Sequence, residues 1–256
     1  MDIISLGSGS KGNSTLLSIG GRYILIDNGF NFREFTKRIP IDPKYLSAIL
    51  LTHEHSDHLE GVGALAKEYS IPVYIPSALK PVTVEKLWGA ETKPFSDGEM
   101  DVDGVKVSSF RLPHDATYTV GYKLERGEDS FAIVTDCGEF TRAIYNNIVG
   151  AKTVLIEANY DVDMLRGGAY PPMLTRRIEG RLGHLSNTDS ANAVVSLAKK
   201  GVKKFILGHL SEQNNTEDLA LTTNVTLLEE WGAHKDKDYE LYVANQKGLE
   251  PTVTTK

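Results

Sequence analysis

The heptapeptide Thr52-His53-Glu54-His55-Ser56-Asp57-His58 follows the apolar run Ala48-Ile49-Leu50-Leu51, which reads as a buried strand. Three of the seven histidines of the chain fall within these residues. Neutral imidazole nitrogen and carboxylate oxygen are the ligands that borderline divalent metals such as zinc accept. In a loop leaving a strand, His53 and His55, two residues apart, point the same way. Asp57 and His58 come one turn later and face a second ion. Four donors are too many for one catalytic ion that keeps an open position, so the spacing points to two adjacent ions. The helical H-E-x-x-H zinc pattern does not apply, because Asp57 stands where its second histidine belongs.

Two ions need further ligands, and other strand ends offer them. Apolar runs lead into His114, through Phe110-Arg111-Leu112-Pro113, and into Asp136, through Ile133-Val134-Thr135. A third leads into His209, through Ile206-Leu207-Gly208. Strands that each end in His or Asp can converge those side chains on one sheet edge. Asp136 is the best bridge, since a carboxylate has two oxygens and the charge needed between two cations. His234 lies in the charged stretch Gly232-Ala233-His234-Lys235-Asp236 and reads as a surface residue.

The bulk composition bounds the rest. The chain has 256 residues, 41% of them apolar and 24% charged, as expected of a globular protein forming a single domain over residues 1 to 256. Its net charge of −6 excludes a global basic field for gripping nucleic acid but not a local basic groove. There is no apolar run of about 18 residues or more, hence no expected membrane span. The start, Met1-Asp2-Ile3-Ile4, lacks a basic signal-peptide region. The one cysteine, Cys137, cannot form an intrachain disulfide, which fits a cytoplasmic protein. Oligomeric state is left open.

The pattern of elements is strands first, then helices mixed with strands, twice over. It predicts a hairpin over 14–29 around Gly20-Gly21 and helices over 32–39, 60–70, 80–89, 187–201 and 217–232. Strands are predicted over 47–52, 71–75, 105–114, 119–126, 130–136, 152–159 and 203–209, with a frayed C-terminus, Pro251 to Lys256. Two sheets with helices outside is the α/β arrangement this order suggests.

Near the N-terminus, Gly7-x-Gly9-x-x-Gly12 spells a dinucleotide-binding fingerprint. That fingerprint requires a helix next, whereas the following segment alternates as a hairpin. A phosphate-binding P-loop fails too, since Asn13 occupies the lysine position. The surviving expectation is a glycine-rich loop between strands whose backbone, with Asn13 and Ser14, meets a substrate phosphate.

His-x-His-x-Asp-His after a buried strand resembles the signature of the metallo-β-lactamase superfamily. The remaining landmarks follow in the same order: Asp27, then His53 to His58, His114, Asp136 and His209. The resemblance covers about residues 1 to 245 and implies a four-layer αββα sandwich with a dinuclear site at the sheet edge. Within the superfamily, Ser5 to Ser14, Gly183-His184-Leu185-Ser186-Asn187 and Leu207 to Asn215 look like the YycJ/VicX/WalJ-type group. That group is similar to the transfer-RNA 3′-processing endonuclease and to a cyclic phosphodiesterase. By position, the resemblance implies that His53, His55 and His114 hold one ion. Asp57, His58 and His209 would hold the other, with Asp136 between. His184 would stand beside the metals without ligating them.

The function so implied is a metal-dependent phosphodiesterase, a nuclease and in one form a DNA 5′-3′ exonuclease, using two divalent ions (Zn²⁺ or Mn²⁺, or else Fe). Two cations about 3.5–4 Å apart lower the pKa of a bridging water toward neutrality. His184 is the expected general acid, and Asp57 the second catalytic candidate. Arg166, Arg176, Arg177 and Arg181 make the approach to His184 the one arginine-rich segment beside the chemistry. Arg176, Arg177 and Arg181, with Asn13 and Ser14, are the expected contacts to a phosphodiester substrate, a nucleic acid. Tyr170 offers a face for a base. Ser211, Asn214 and Asn215 would line the site, with Glu157 and Asn159 orienting ligands. The alternatives are a small-molecule hydrolase, acting on a cyclic nucleotide or a thioester, and a non-catalytic signalling accessory protein. The intact donor set argues against the last, since a degenerate module has no reason to keep seven donors.

Overall fold

In Ile24-Leu25-Ile26 the two isoleucines face one side of a strand and Leu25 the other, yet all three are buried. A strand covered on both faces needs a sheet on one side and helices on the other. The computed structural model describes residues 1–83, 85–87, 89–244 and 252–254. In it Ile24 and Ile26 pack between two sheets, against Val107, Tyr122 and Phe131 of the second sheet. Leu25 packs outward with Phe35, Val62 and Leu65 of the covering helices.

In the first sheet β1 (Asp2–Gly7), β2 (Ser14–Ile19) and β3 (Arg22–Ile26) run antiparallel. β4 (Leu46–Leu50), β5 (Val73–Pro76) and β6 (Thr92–Phe95) then join in parallel with β3. Parallel neighbours need crossovers, here carrying α1 (Phe32–Arg38), α2 (Ser56–Leu59), α3 (Val62–Tyr69) and α4 (Lys80–Thr83). The second sheet repeats the plan. β7 (Gly98–Val102), β8 (Val105–Arg111), β9 (Val120–Arg126) and β10 (Asp129–Val134) are antiparallel. β11 (Thr153–Glu157), β12 (Lys204–Gly208) and β13 (Glu240–Val243) follow in parallel. Their connections carry α5 (Arg142–Ile148), α6 (Val162–Gly167), α7 (Pro172–Ile178), α8 (Asn187–Ala198) and α9 (Glu217–Glu230). Val154, Val194, Leu197 and Leu228 form the outer core of this half. The layers are therefore helix, sheet, sheet, helix, the αββα sandwich.

Strand direction places the functional edge. β3 and β4 are parallel, and so are β10, β11 and β12, so within each sheet their C-terminal ends share an edge. β1 and β8 are each two antiparallel steps away and point the same way. The glycine-rich loop after β1 and His114 after β8 thus arrive at the edge that carries the motif.

Local chemistry accounts for most boundaries. Gly20 and Gly21 take φ of 54° and 78° in the hairpin turn between β2 and β3, a mirror-image turn that glycine adopts without strain. Ser186 caps α8, its Oγ accepting from Asp189 N at 3.1 Å. Three findings differ from the sequence expectation. The helix expected over 80–89 is confined to Lys80–Thr83, followed by turn residues, with Val84 and Trp88 outside the described residues. β6, β7, β13 and helices α5 to α7 were not anticipated; β6 is an edge strand with mostly half-buried or exposed residues and gives no apolar signal. The C-terminus is not wholly frayed, because β14 (Thr252–Thr254) pairs antiparallel with β1; Pro251, Thr255 and Lys256 lie outside the described residues.

Backbone contacts seat the motif. Asn13 N donates to Asp57 O (2.7 Å), Asn28 N to His58 O (2.8 Å), Gly29 N to Asn13 O (3.0 Å) and Gly61 N to Asn28 O (2.9 Å). Three loops are thereby stitched together, and Gly29 lies so close that a Cβ would fall 1.7 Å from Asp57 O. Gly29→Ala must push the two backbones apart. It should cost at least the roughly 1–3 kcal/mol of an overpacked core, seen as a melting temperature lower by about 2–4 °C per kcal/mol for a chain of this size. An unchanged melting temperature would show that the loops separate freely.

Candidate metal centre

Three residues at the edge, Asp27, Asp136 and His209, adopt left-handed backbone with φ of 58°, 57° and 54°. Non-glycine residues rarely do so, and the strain persists only where surrounding bonds fix it. Each follows a strand, and the turn redirects its side chain across the edge. The Asp27 carboxylate is fixed by Thr52 N (2.8 Å), Thr52 Oγ1 (2.7 Å) and His58 Nδ1 (2.7 Å). Asn159 Nδ2 donates to His209 O at 2.8 Å, and His209 N donates to Ser8 Oγ at 2.7 Å.

Three of the imidazoles, those of His53, His58 and His114, are oriented through their Nδ1 atoms. Thr52 gives its hydroxyl proton to Asp27, so it accepts from His53 Nδ1 at 3.0 Å. His58 Nδ1 donates to Asp27 and His114 Nδ1 to Gly183 O, at 3.1 Å. In each ring Nδ1 carries a proton and Nε2 is turned inward. His53 Nε2 and His114 Nε2 are buried with no hydrogen-bond partner. Burial, aided by the neighbouring His58 charge, holds His53 well below the usual histidine range. Neutral imidazole is the ligating form.

Asp136 occupies the centre and is only 2% exposed. Its Oδ2 lies 3.0 Å from His58 Nε2 and 3.1 Å from His209 Nδ1, and its Oδ1 lies 3.6 Å from His114 Nε2. Burial alone would raise this carboxyl, but the charges of His209 and His58 outweigh it and hold the group well below the carboxylate range. Burial likewise opposes charge on His58, and Asp136, Asp27 and Asp57 reverse the balance upward.

Three sets of donors have atoms mutually within 4.8 Å: His53, His55 and His114; His53, His58 and Asp136; and Asp136, Glu157, His184 and His209. Asp57 stands a step outside them, with Oδ2 3.6 Å from His58 Nε2. The buried, unpartnered Nε2 atoms of His53 and His114, gathered beside the buried Asp136 carboxylate, fit divalent cations in their chemistry.

His184 joins the cluster beside His114 and His209, its ring centroid 5.2 Å from each of theirs. Its Nδ1 is 2.6 Å from Glu157 Oε1 and 3.9 Å from Asp136 Oδ1, and its side chain is 22% exposed. Burial disfavours its charge, but Glu157, by charge and hydrogen bond, raises it to about 9. Glu157 Oε2 accepts from Cys137 N at 2.8 Å, so the carboxylate that holds His184 is itself held. The sequence suggested Glu157 as an orienting group without naming its partner. Thr52 and Asp115 were not singled out at all, although both adjoin candidate ligands in sequence.

Two expected substrate contacts are corrected. Ser14 is only 1% exposed and its Oγ donates to Asp27 O at 3.0 Å, so its hydroxyl is committed inside the fold. Asn13 is also buried; its Oδ1 accepts from Gly9 N (2.9 Å) and its Nδ2 reaches Gly9 O (3.1 Å) and Asp57 Oδ2 (3.1 Å). It braces Asp57 rather than presenting an amide to a phosphate. Asn215 joins Asn187 and the carbonyls of Ala158 and Asn159, and is likewise occupied. The arginines remain at the surface: Arg176 is exposed, Arg177 Nε donates to Asp115 Oδ2, and Arg181 Nε to Glu139 Oε2 at 2.7 Å.

Sheet sandwich and donor cluster together define a metallohydrolase-type scaffold, and the comparisons agree. The beta-lactamase superfamily domain model matches residues 22–210. The chain belongs to the metallo-β-lactamase superfamily. It is similar to "Exodeoxyribonuclease WalJ" of Streptococcus pneumoniae, at 35% identity over 254 residues, covering 93% of this chain and 91% of that protein. It is also similar to "Exodeoxyribonuclease YycJ" of Bacillus anthracis, at 33% identity, covering 94% of each. Among solved structures, the metallo-beta-lactamase fold protein YhfI from Bacillus subtilis shares the fold, with a TM-score of 0.74 at 15% identity over 97% of this chain and 98% of that one. No described helix is long and apolar enough to cross a membrane.

Asp27 belongs to none of the three donor sets but orients His58 directly and His53 through Thr52. Asp27→Asn should weaken metal affinity by about 10- to 100-fold, the usual cost of losing such a support. Competition with a chelator, alongside a melting curve to show that the fold persists, checks it.

Proposed function

We propose that this chain is a metal-dependent phosphodiesterase, a nuclease that degrades DNA as a 5′-to-3′ exonuclease. In this reading residues 1 to 256 are a single cytoplasmic domain that takes up two divalent ions, zinc, manganese or iron. The observation that carries the reading is the convergence of three donor sets, linked one to the next through His53 and through Asp136, with the atoms of each set within 4.8 Å of one another. Likeness over nearly the full chain to proteins named exodeoxyribonuclease supports the substrate class.

His53, His55 and His114 would hold one ion; His58, His209 and Asp57 the other, with Asp136 shared. Bound there, the ions would supply a nucleophile at neutral pH and offset charge on the phosphoryl oxygens. The protein's own residues do the rest. Asp27, Thr52 and Gly183 O fix the imidazole rings, so no reorganisation is needed when substrate arrives. Glu157 keeps a proton on His184 Nδ1 and favours the imidazolium. His184 then protonates the departing alkoxide from its other ring nitrogen as general acid. Exposed Arg176 and Arg181 meet flanking phosphates.

Metal-loaded protein assayed on 5′- and 3′-labelled DNA, on RNA, on bis-p-nitrophenyl phosphate and on a thioester tests this. DNA should be shortened stepwise from its 5′ end; hydrolysis of the small diester alone would overturn the nuclease reading. His184→Ala should keep its metal content by mass spectrometry yet lose about 10²- to 10⁴-fold in rate, the range for a general acid. Loss of metal instead would make His184 a ligand.

A further inference from the structure

Helix α7 buries none of its residues. Its apolar side chains Leu174 and Ile178 are half-buried and line, with Tyr170, Arg177, Asp115 and His184, a cavity of about 160 Å³. The walls are tied down. Arg177 Nε donates to Asp115 Oδ2, His184 N to Ile178 O at 3.0 Å, and Gly183 O accepts from His114 Nδ1 at 3.1 Å. A cavity that ends at His184 is one side chain away from Asp136, whose Oδ1 lies 3.9 Å from His184 Nδ1.

We propose that this cavity binds one nucleobase of the substrate, that of the nucleotide joined to the phosphate under attack. The inference rests on the phosphodiesterase reading and adds a subsite to it. Pockets for drug-sized ligands run to about 300–1,000 Å³, so this volume admits one ring system and not a whole nucleotide. Leu174 and Ile178 offer apolar contact to a flat face, and the Tyr170 ring offers stacking. A sugar phosphate would be poorly served here. Arg177 in the wall is already neutralised by Asp115, and the His184 imidazolium by Glu157. The polar edge of a base, by contrast, meets that paired Asp115 and Arg177 as acceptor and donors. Stacking reads every base through its face, so the subsite grips a strand end with little sequence preference.

Calorimetry on manganese-loaded protein with thymidine 5′-monophosphate and deoxyribose 5-phosphate isolates the base, since both carry the same phosphate to the metals. The protein should prefer the nucleotide by about ten- to a hundredfold, the range for stacking one base. Leu174→Trp, which fills the cavity, and Tyr170→Ala, which removes its aromatic wall, should each erase that preference while still binding the sugar phosphate. Equal affinity of the unaltered protein for the two ligands would overturn the proposal. So would an undiminished preference in both variants. A retained preference in protein that cleaves no labelled strand would uphold the subsite while sinking the nuclease reading.

Discussion

A carboxylate buried as deeply as Asp136 has no water to stabilise it, and an unpaired buried charge is among the costliest things a fold can contain. The edge of the sandwich is arranged around that cost. His58 comes from the first sheet and His209 and His114 from the second, and all three turn ring nitrogens toward the same carboxylate within 3.0–3.6 Å. Beyond the apolar core between the sheets, side chains from both half-molecules thus meet at one buried charge. The cluster also explains why left-handed backbone is tolerated at Asp27, Asp136 and His209, where strain is offset by the bonds these residues make.

The supports matter as much as the donors. His53, His58 and His114 each use Nδ1 outward and Nε2 inward, and the outward partner is a hydroxyl, a carboxylate or a carbonyl fixed by the fold. The glycine-rich loop after β1 belongs to this layer. Gly12, with φ of 149°, packs so tightly on Phe30 that a Cβ would meet the ring at 2.5 Å. Ser8 and Asn13 from the same loop hold His209 and Asp57. A stretch whose letters suggest nucleotide binding is, in space, a brace across the two halves.

The opposite wall has a different character. Between β11 and α8 the chain runs through two short helices, α6 and α7, bound to the body by arginine–carboxylate pairs and by His114 and Gly183. Exposed ion pairs of this kind contribute little to stability. This wall is accordingly the region of the site with room to vary, while the motif side is locked by backbone contacts.

The class of fold was legible from the residues alone, and so were most of the side chains that gather at the sheet edge. Thr52 to His58 after a buried strand, and His114, Asp136 and His209 each after an apolar run, are local patterns, readable because strand burial and ligand type are written residue by residue. Edge strands such as β6 and the short helices α5 to α7 were not legible, since few of their residues are buried and so little apolar periodicity marks them. Which partner each group has was settled only in three dimensions. Asp27 and His58 are 31 residues apart, Asn13 and Asp57 44, and His114 and Gly183 69. Such pairings follow from strand order and direction, which no local pattern encodes. That is why Asn13 and Ser14, polar and beside glycines, read as surface groups until the fold showed their hydrogen bonds already spent.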